Sequence, residues 1–184
     1  MIMKQIILFT LIVILNSRVY SQSEAEIYKH VISDFVLKHR QPNTDDSQPT
    51  TLIVLETPAY MIKIDDSDYS RFKEKYKKLD QQTFEDFIKK NQVNFQFENL
   101  KVADIETVMF NKESRPNWEE LYSTYPNWDY RILEFSNIGF NEVKNQAMVY
   151  YGFDSGATGG GVYIIYKKKG IRWKIKKVIS AWAA

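Results

Sequence analysis

From Glu24 onward apolar residues recur at Ile27, Tyr28, Val31, Ile32, Phe35 and Val36, the spacing of one buried stripe on a helix of about four turns. Ser23 and Glu26 stand three apart at its start, as in a capping box. The polar stretch Gln41-Pro42-Asn43-Thr44-Asp45-Asp46 ends it, because the residue before a proline is pushed out of the helical region. The pattern then shortens. Thr51-Leu52-Ile53-Val54-Leu55 is a β-branched run of strand length, and Tyr60-Met61-Ile62-Lys63-Ile64 is its expected neighbour across the Thr57-Pro58 bend. Helical spacing returns with Phe72, Tyr76 and Leu79 in a helix from Tyr69 to Leu79, capped by Asp65-Asp66-Ser67-Asp68. A second helix starts near Thr83 and carries Phe84, Phe87 and Ile88 on one side. A strand from Val102 to Phe110 and a short helix with Pro116 in its first turn complete the central part.

Beyond this point the period becomes that of strands. Tyr130 to Phe140, Gln146 to Phe153, Val162 to Lys168 and Arg172 to Ala181 are separated by turns at Asn141-Glu142, Gly156 to Gly161 and Gly170, which predicts an antiparallel meander of four strands. Helices early and a meander late define an α+β class, with N-terminal and central helices packed on an antiparallel sheet that can curve into a cone. Alternation puts Arg131, Leu133 and Phe135 on one face and Ile132, Glu134 and Ser136 on the other, while Met148/Tyr150 and Val149/Tyr151 are apolar on both. Both faces are therefore expected to be covered.

Ahead of the first helix, Lys4 precedes an apolar run from Ile6 to Leu15 and a polar segment ending Val19-Tyr20-Ser21, the pattern of a secretory signal cleaved before Gln22. The run is too short to cross a hydrocarbon core of ~30 Å, which takes about 20 residues, so no transmembrane segment is expected in the mature chain. Removing 21 of 184 residues leaves 163, the size of a single α+β domain over 22–184 in the periplasm or secreted. Without any Cys, disulfides, thiolate metal sites and cysteine nucleophiles are excluded, and stability has to come from an ordinary apolar core.

Lys4 and Arg18 belong to the expected signal, so the 25 basic residues fall to 23 against 23 acidic ones, and no nucleic-acid partner is expected from a net charge of zero. The distribution is uneven. Seven basic residues (Lys167, Lys168, Lys169, Arg172, Lys174, Lys176, Lys177) and no acidic one follow Ser155, whereas Asp80 to Glu142 holds twelve acidic and six basic. The plain reading is a solvated hairpin that complements an acidic face of the same fold. An anion site is the alternative.

Ser136-Asn137-Ile138-Gly139-Phe140-Asn141, then Gln146-Ala147-Met148-Val149-Tyr150-Tyr151, the Gly-rich turn, Trp173-Lys174-Ile175 and the closing Trp182 resemble uncharacterised exported proteins of Bacteroidota over about the last 70 residues. In that family the Gly turn often carries a Cys pair; here it has none, so the resemblance implies location and architecture and no redox or metal role. The order of elements also resembles the NTF2-like cone, in which helices close over a curved sheet.

Candidate chemistry is sparse. Gly156-Ala157-Thr158-Gly159-Gly160-Gly161 lacks the Lys and Ser/Thr of a phosphate loop, since Val162 and Tyr163 follow, and reads as a flexible hairpin turn; backbone N–H groups holding an anion beside Lys167 or Arg172 are the alternative. Asp66, Asp68 and Ser70 alternate as in a calcium loop, but Arg71 and Lys77 replace the required Gly and Glu, so helix capping explains these carboxylates. His30 and His39 are nine apart and face opposite ways, which excludes a shared metal. No Gly-x-Ser-x-Gly occurs, and nothing singles out a carboxylate pair such as Glu119 and Glu134. No metal and no cofactor are expected.

Aromatics are the compositional excess at 15%, and Pro116-Asn117-Trp118 is echoed by Pro126-Asn127-Trp128, with Tyr122, Tyr125 and Tyr130 close by. Exposed, Trp118 and Trp128 would be binding platforms; buried, they are core. On a curved sheet the Tyr-rich concave face would place Arg131, Glu134, Tyr150 and Tyr163 in a pocket. Together these features predict a non-catalytic, small-molecule- or protein-binding domain of the bacterial envelope. Two alternatives stay open: a hydrolase with a carboxylate, Tyr and Arg in that pocket, and an accessory subunit of an envelope complex whose aromatic patch a partner covers.

Overall fold

The computed structural model describes residues 22–36, 50–55, 64, 68–92, 102, 105–110, 117–126 and 128–183. The expected signal, the turn at 41–46, the strand at 60–63, Asp65 to Ser67, His39 and Pro116 lie outside these. The chain divides into two compact units, 1–39 and 40–184. In the first, helix α1 (22–31) passes into a π-helical turn, Ile32–Val36, and buries Ile27, Tyr28, Val31 and Ile32. It is already helical at Gln22, so Ser23 lies inside the helix rather than capping it.

The second unit holds strands β1 (Thr50–Leu55), β2 (Ile105–Phe110), β3 (Trp128–Phe135), β4 (Gly139–Phe140), β5 (Gln146–Asp154), β6 (Gly159–Lys169) and β7 (Arg172–Ala183), with helices α2 (Tyr69–Lys75), α3 (Gln81–Lys90) and α4 (Trp118–Thr124). The sheet runs β2-β1-β3-β5-β6-β7 and is open and slightly curled, with β4 paired to β5. The meander β3/β4-β5-β6-β7 is antiparallel as expected, and the fold is α+β.

The other end of the sheet is parallel, which makes the sheet as a whole mixed and mostly antiparallel. β1 lies between β2 and β3 and is parallel to both. A parallel central strand is buried on both faces, which is why Leu52-Ile53-Val54-Leu55 is continuously apolar instead of alternating.

Two clusters on one face hold the helices. Phe72 and Leu79 from the α2 segment and Phe84, Phe87 and Ile88 from α3 pack on Met148, Tyr150, Tyr163, Ile165 and Ile179. Leu121 of α4 packs with Ile53, Leu55, Trp128 and Ile132. The opposite face, with Leu133, Phe135, Val149, Tyr151, Ile164 and Tyr166, is buried as well. Asp80 caps α3 by accepting from Gln82 N at 3.0 Å. Asn117 caps α4 by accepting from Glu120 N at 2.9 Å. Asp68 holds the N-cap position of α2 but accepts no backbone N–H there; its carboxylate pairs with Arg71 instead.

Between β3 and β4 the chain bulges at 136–138, three residues opposite two of β5. The hydroxyl of Ser136 stands in for a strand carbonyl and accepts from Tyr150 N at 2.7 Å. Among the described residues the outer edge of β4 has no strand neighbour, and α3 satisfies it. Asp86 accepts from Phe140 N at 2.8 Å, Lys90 Nζ donates to the Ile138 carbonyl at 3.1 Å, and Asn91 exchanges hydrogen bonds with the Asn137 backbone.

Candidate functional site

On the helix-bearing face, β5 and β6 pair Tyr150 directly with Tyr163, so the two rings meet at 5.3 Å. Phe72 of α2 stands edge-on to Tyr163 at 4.9 Å and 85°. β7 brings Trp182, whose indole Nε1 donates to the Tyr150 hydroxyl at 2.9 Å. Glycine makes this approach feasible: a Cβ on Gly161 would lie 2.5 Å from both the Trp182 Nε1 and the Tyr150 hydroxyl. Gly159, Gly160 and Gly161 are therefore strand residues under aromatic rings, not a loop. The turn itself is Ser155 to Thr158, closed by Ser155 N on the Thr158 carbonyl, and its Gly156 N donates to Asp154 Oδ1 at 2.8 Å. A carboxylate already occupies that N–H. Lys167 and Arg172 sit toward the far end of the hairpin, which corrects the anion-loop alternative.

Between α2 and β7 these residues enclose a cleft of about 370 Å³. Ile64, Phe72 and Ile179 supply apolar wall, Tyr150, Tyr163 and Trp182 supply aromatic surface with polar tips, and Arg71 and Lys75 stand one helical turn apart on its rim. No Asp or Glu lines it among the described residues. Arg71 is held by Asp68 at 2.9 Å, and Lys75 has no ion pair among the described residues. The Tyr163 hydroxyl has no hydrogen-bond partner among them either.

Burial pushes Tyr163 up to about 12, with the neighbouring Tyr150 adding to it and Arg71 opposing. Burial also raises Tyr150, against the hydrogen bond from Trp182 and with a smaller push from the Glu134 charge. Both phenols are thus neutral donors at physiological pH. A folded-state phenol raised from 10.0 to about 12 contributes stability that is intact below pH 10 and lost as pH rises toward 12. The Tyr163→Phe variant is accordingly expected to lose less stability than wild type between those values. Difference absorbance of the two proteins should place the missing phenolate near 12; a transition near 10 would contradict the buried, phenol-rich cleft.

Of the residues expected to form a pocket, Tyr150 and Tyr163 meet in the cleft. Glu134 shares their face opposite Gly152 and acts on Tyr150 through its charge, but it does not line the space. Arg131 falls where the register of β3 shifts, with 129–131 opposite the single residue Leu52 of β1, and it does not line the cleft. Trp128 is fully buried, donates Nε1 to the Arg131 carbonyl at 2.9 Å and stacks on Trp118 at 5.3 Å and 23°. It is core rather than a surface platform; Trp118 is half-buried over it, and Tyr122 beside them is 47% exposed. Arg71, Lys75, Phe72, Ile179 and Trp182 were not anticipated as site residues. The one sequence signal was the i, i+4 pair of cations on a helix whose Phe72 faces the sheet. His30 of α1 lies 3.8 Å from Asp34, and no group of metal-binding side chains occurs among the described residues. No family model, curated protein or solved structure matches the chain.

Proposed function

We propose that the chain is an exported, non-catalytic binding domain of the bacterial envelope whose ligand is a small amphiphilic anion, a carboxylate on an apolar or aromatic body. The cleft carries this reading: apolar and aromatic walls, two cations on the rim, neutral phenol donors and no lining carboxylate. Its volume of about 370 Å³ is within the range of small-molecule sites. Arg71 and Lys75 would meet the anionic head, with the Tyr163 hydroxyl free to donate to it, while Phe72, Ile179 and Trp182 cover the body. The hydrolase alternative calls for a carboxylate beside the Tyr and Arg of the pocket, and the described lining holds no Asp or Glu. Export rests on the Lys4, Ile6–Leu15 and Ser21 pattern.

Trp182 makes the reading testable, since its 45% exposed indole lines the cleft. Titration with 1-naphthoate is expected to give a saturable change in indole fluorescence that is lost in Trp182→Phe. The uncharged amide of the same acid should bind about tenfold more weakly, a difference of about 1.4 kcal/mol. Replacing Arg71 and Lys75 together by Gln should bring acid and amide to equal affinity. Equal binding of the two compounds by the wild-type protein, or no saturable change, would overturn the assignment.

A further inference from the structure

The β6–β7 hairpin turns at Gly170, whose φ is +62°, and presents Ile171 at its tip with 83% of its surface exposed. Behind the tip, Lys169 is paired directly with Arg172, and Lys167 with Lys174. Like charges directly opposite each other across a strand pair repel, so the hairpin carries two unfavourable pairs in succession on one face. All four side chains are exposed, and none has a carboxylate partner among the described residues. The expectation of an acidic face complementing this hairpin is therefore not met there.

Edge protection accounts for only part of this. β7 is an edge strand, and lysines on an edge discourage pairing with other chains. β6 is covered by β5 as far as Lys167, so Lys167 serves no such purpose, and a bare isoleucine at the tip works against it. An apolar residue projecting between cations fits a surface with negative headgroups above hydrocarbon.

We propose that the β6–β7 hairpin docks on an anionic phospholipid bilayer, with Ile171 entering the acyl boundary and Lys167, Lys169, Arg172 and Lys174 over the headgroups. The site is separate from the cleft, whose β6 contribution, Tyr163, lies toward the other end of the strand. Its fate is therefore independent of the ligand reading.

The test is sedimentation of the purified protein with vesicles of phosphatidylcholine alone and of phosphatidylcholine mixed with phosphatidylglycerol, at low and high salt. Any contribution from Lys4, Arg18 and the apolar run Ile6–Leu15 is the same in wild type and in every variant, so the difference between wild type and variants isolates the hairpin. Wild type should bind the mixed vesicles, release them at high salt and bind neutral ones far less. Lys169→Glu with Arg172→Glu should weaken partitioning about tenfold or more, and Ile171→Ser about fivefold, with circular dichroism unchanged in these exposed positions. Absence of any preference for phosphatidylglycerol overturns the proposal. So does an Ile171→Ser variant that binds like wild type while the charge reversal abolishes binding, because that pattern is charge attraction alone, which any polyanion would satisfy, without entry of Ile171 into the acyl boundary.

Discussion

Gly139→Ala is expected to lower the stability of the fold by about 3 kcal/mol, near the upper end for overpacking a buried site. Gly139 pairs with Met148 in the short strand β4, and α3 crosses directly above it. A Cβ at this position would lie 2.3 Å from Phe87 N and 2.5 Å from Phe87 Cα. The obstructing atoms are helix backbone, which cannot step aside as a side-chain tip can. Relief requires moving α3 off the sheet, and with it Phe84, Phe87 and Ile88, the bond Asp86 accepts from Phe140 N and the bond Lys90 donates to the Ile138 carbonyl. Urea unfolding of the variant should show the loss as a lower midpoint with the slope retained. Gly170→Ala is the comparison: nothing lies within 4 Å of its Cβ, and the cost is confined to the left-handed φ of +62°, about 1 kcal/mol. Similar midpoints for the two variants would mean that α3 does not rest on β4 as described.

Much of the architecture is legible locally. The stripe Phe84, Phe87, Ile88 marks the buried face of α3, and the alternation of apolar runs with Gly-containing turns marks β5, β6 and β7, because each of these signals depends on residues a few positions apart. The parallel half of the sheet is another matter. β1 pairs with Ile105–Phe110 and with β3, some fifty to eighty residues away, beyond the reach of any local pattern. The continuous apolar run of β1 was the available clue to a strand buried on both faces.

The cleft divides in the same way. Tyr150 and Tyr163 follow from the register of one hairpin, whereas Arg71 and Lys75 depend on where α2 settles, which no local pattern specifies. The grouping of Arg131 with Glu134 conflicted with strand alternation, which separates residues three apart. The Gly-rich stretch misled for a different reason. Glycine reports that something comes close, and at Gly161 the visitors are the Tyr150 and Trp182 rings from neighbouring strands rather than a turn or a phosphate.

The bulge that joins β3 to β4 supplies the second large effect, in a residue with no obvious sequence signal. Asn91 is buried at the C-cap of α3, where its Nδ2 donates to the Phe87 carbonyl at 2.7 Å and to the Asn137 carbonyl at 3.1 Å. Its Oδ1 accepts from Asn137 N at 2.8 Å, and Asn137 Nδ2 returns a bond to the Lys90 carbonyl at 2.9 Å. Asn91→Ala removes three of these four bonds and leaves a backbone N–H of the bulge without its acceptor, at an expected cost of about 3 kcal/mol. A loss below about 1 kcal/mol in urea unfolding would show that water or neighbouring groups replace the amide, and that the clamp is not what fixes α3 to the bulge. Asn91→Asp separates donor from acceptor. The carboxylate can still accept from Asn137 N but cannot donate, and its burial raises its folded pKa above the unfolded value of about 3.9. A carboxyl raised in this way keeps its stability below the unfolded pKa and loses it as pH rises through the folded one, because only the protonated acid can donate to a carbonyl. The deficit of Asn91→Asp against wild type should therefore be smallest in acid and widen toward neutrality, whereas that of Asn91→Ala should stay constant with pH. Parallel pH profiles for the two variants would mean that the Nδ2 donors contribute nothing and that shape alone selects asparagine at this position.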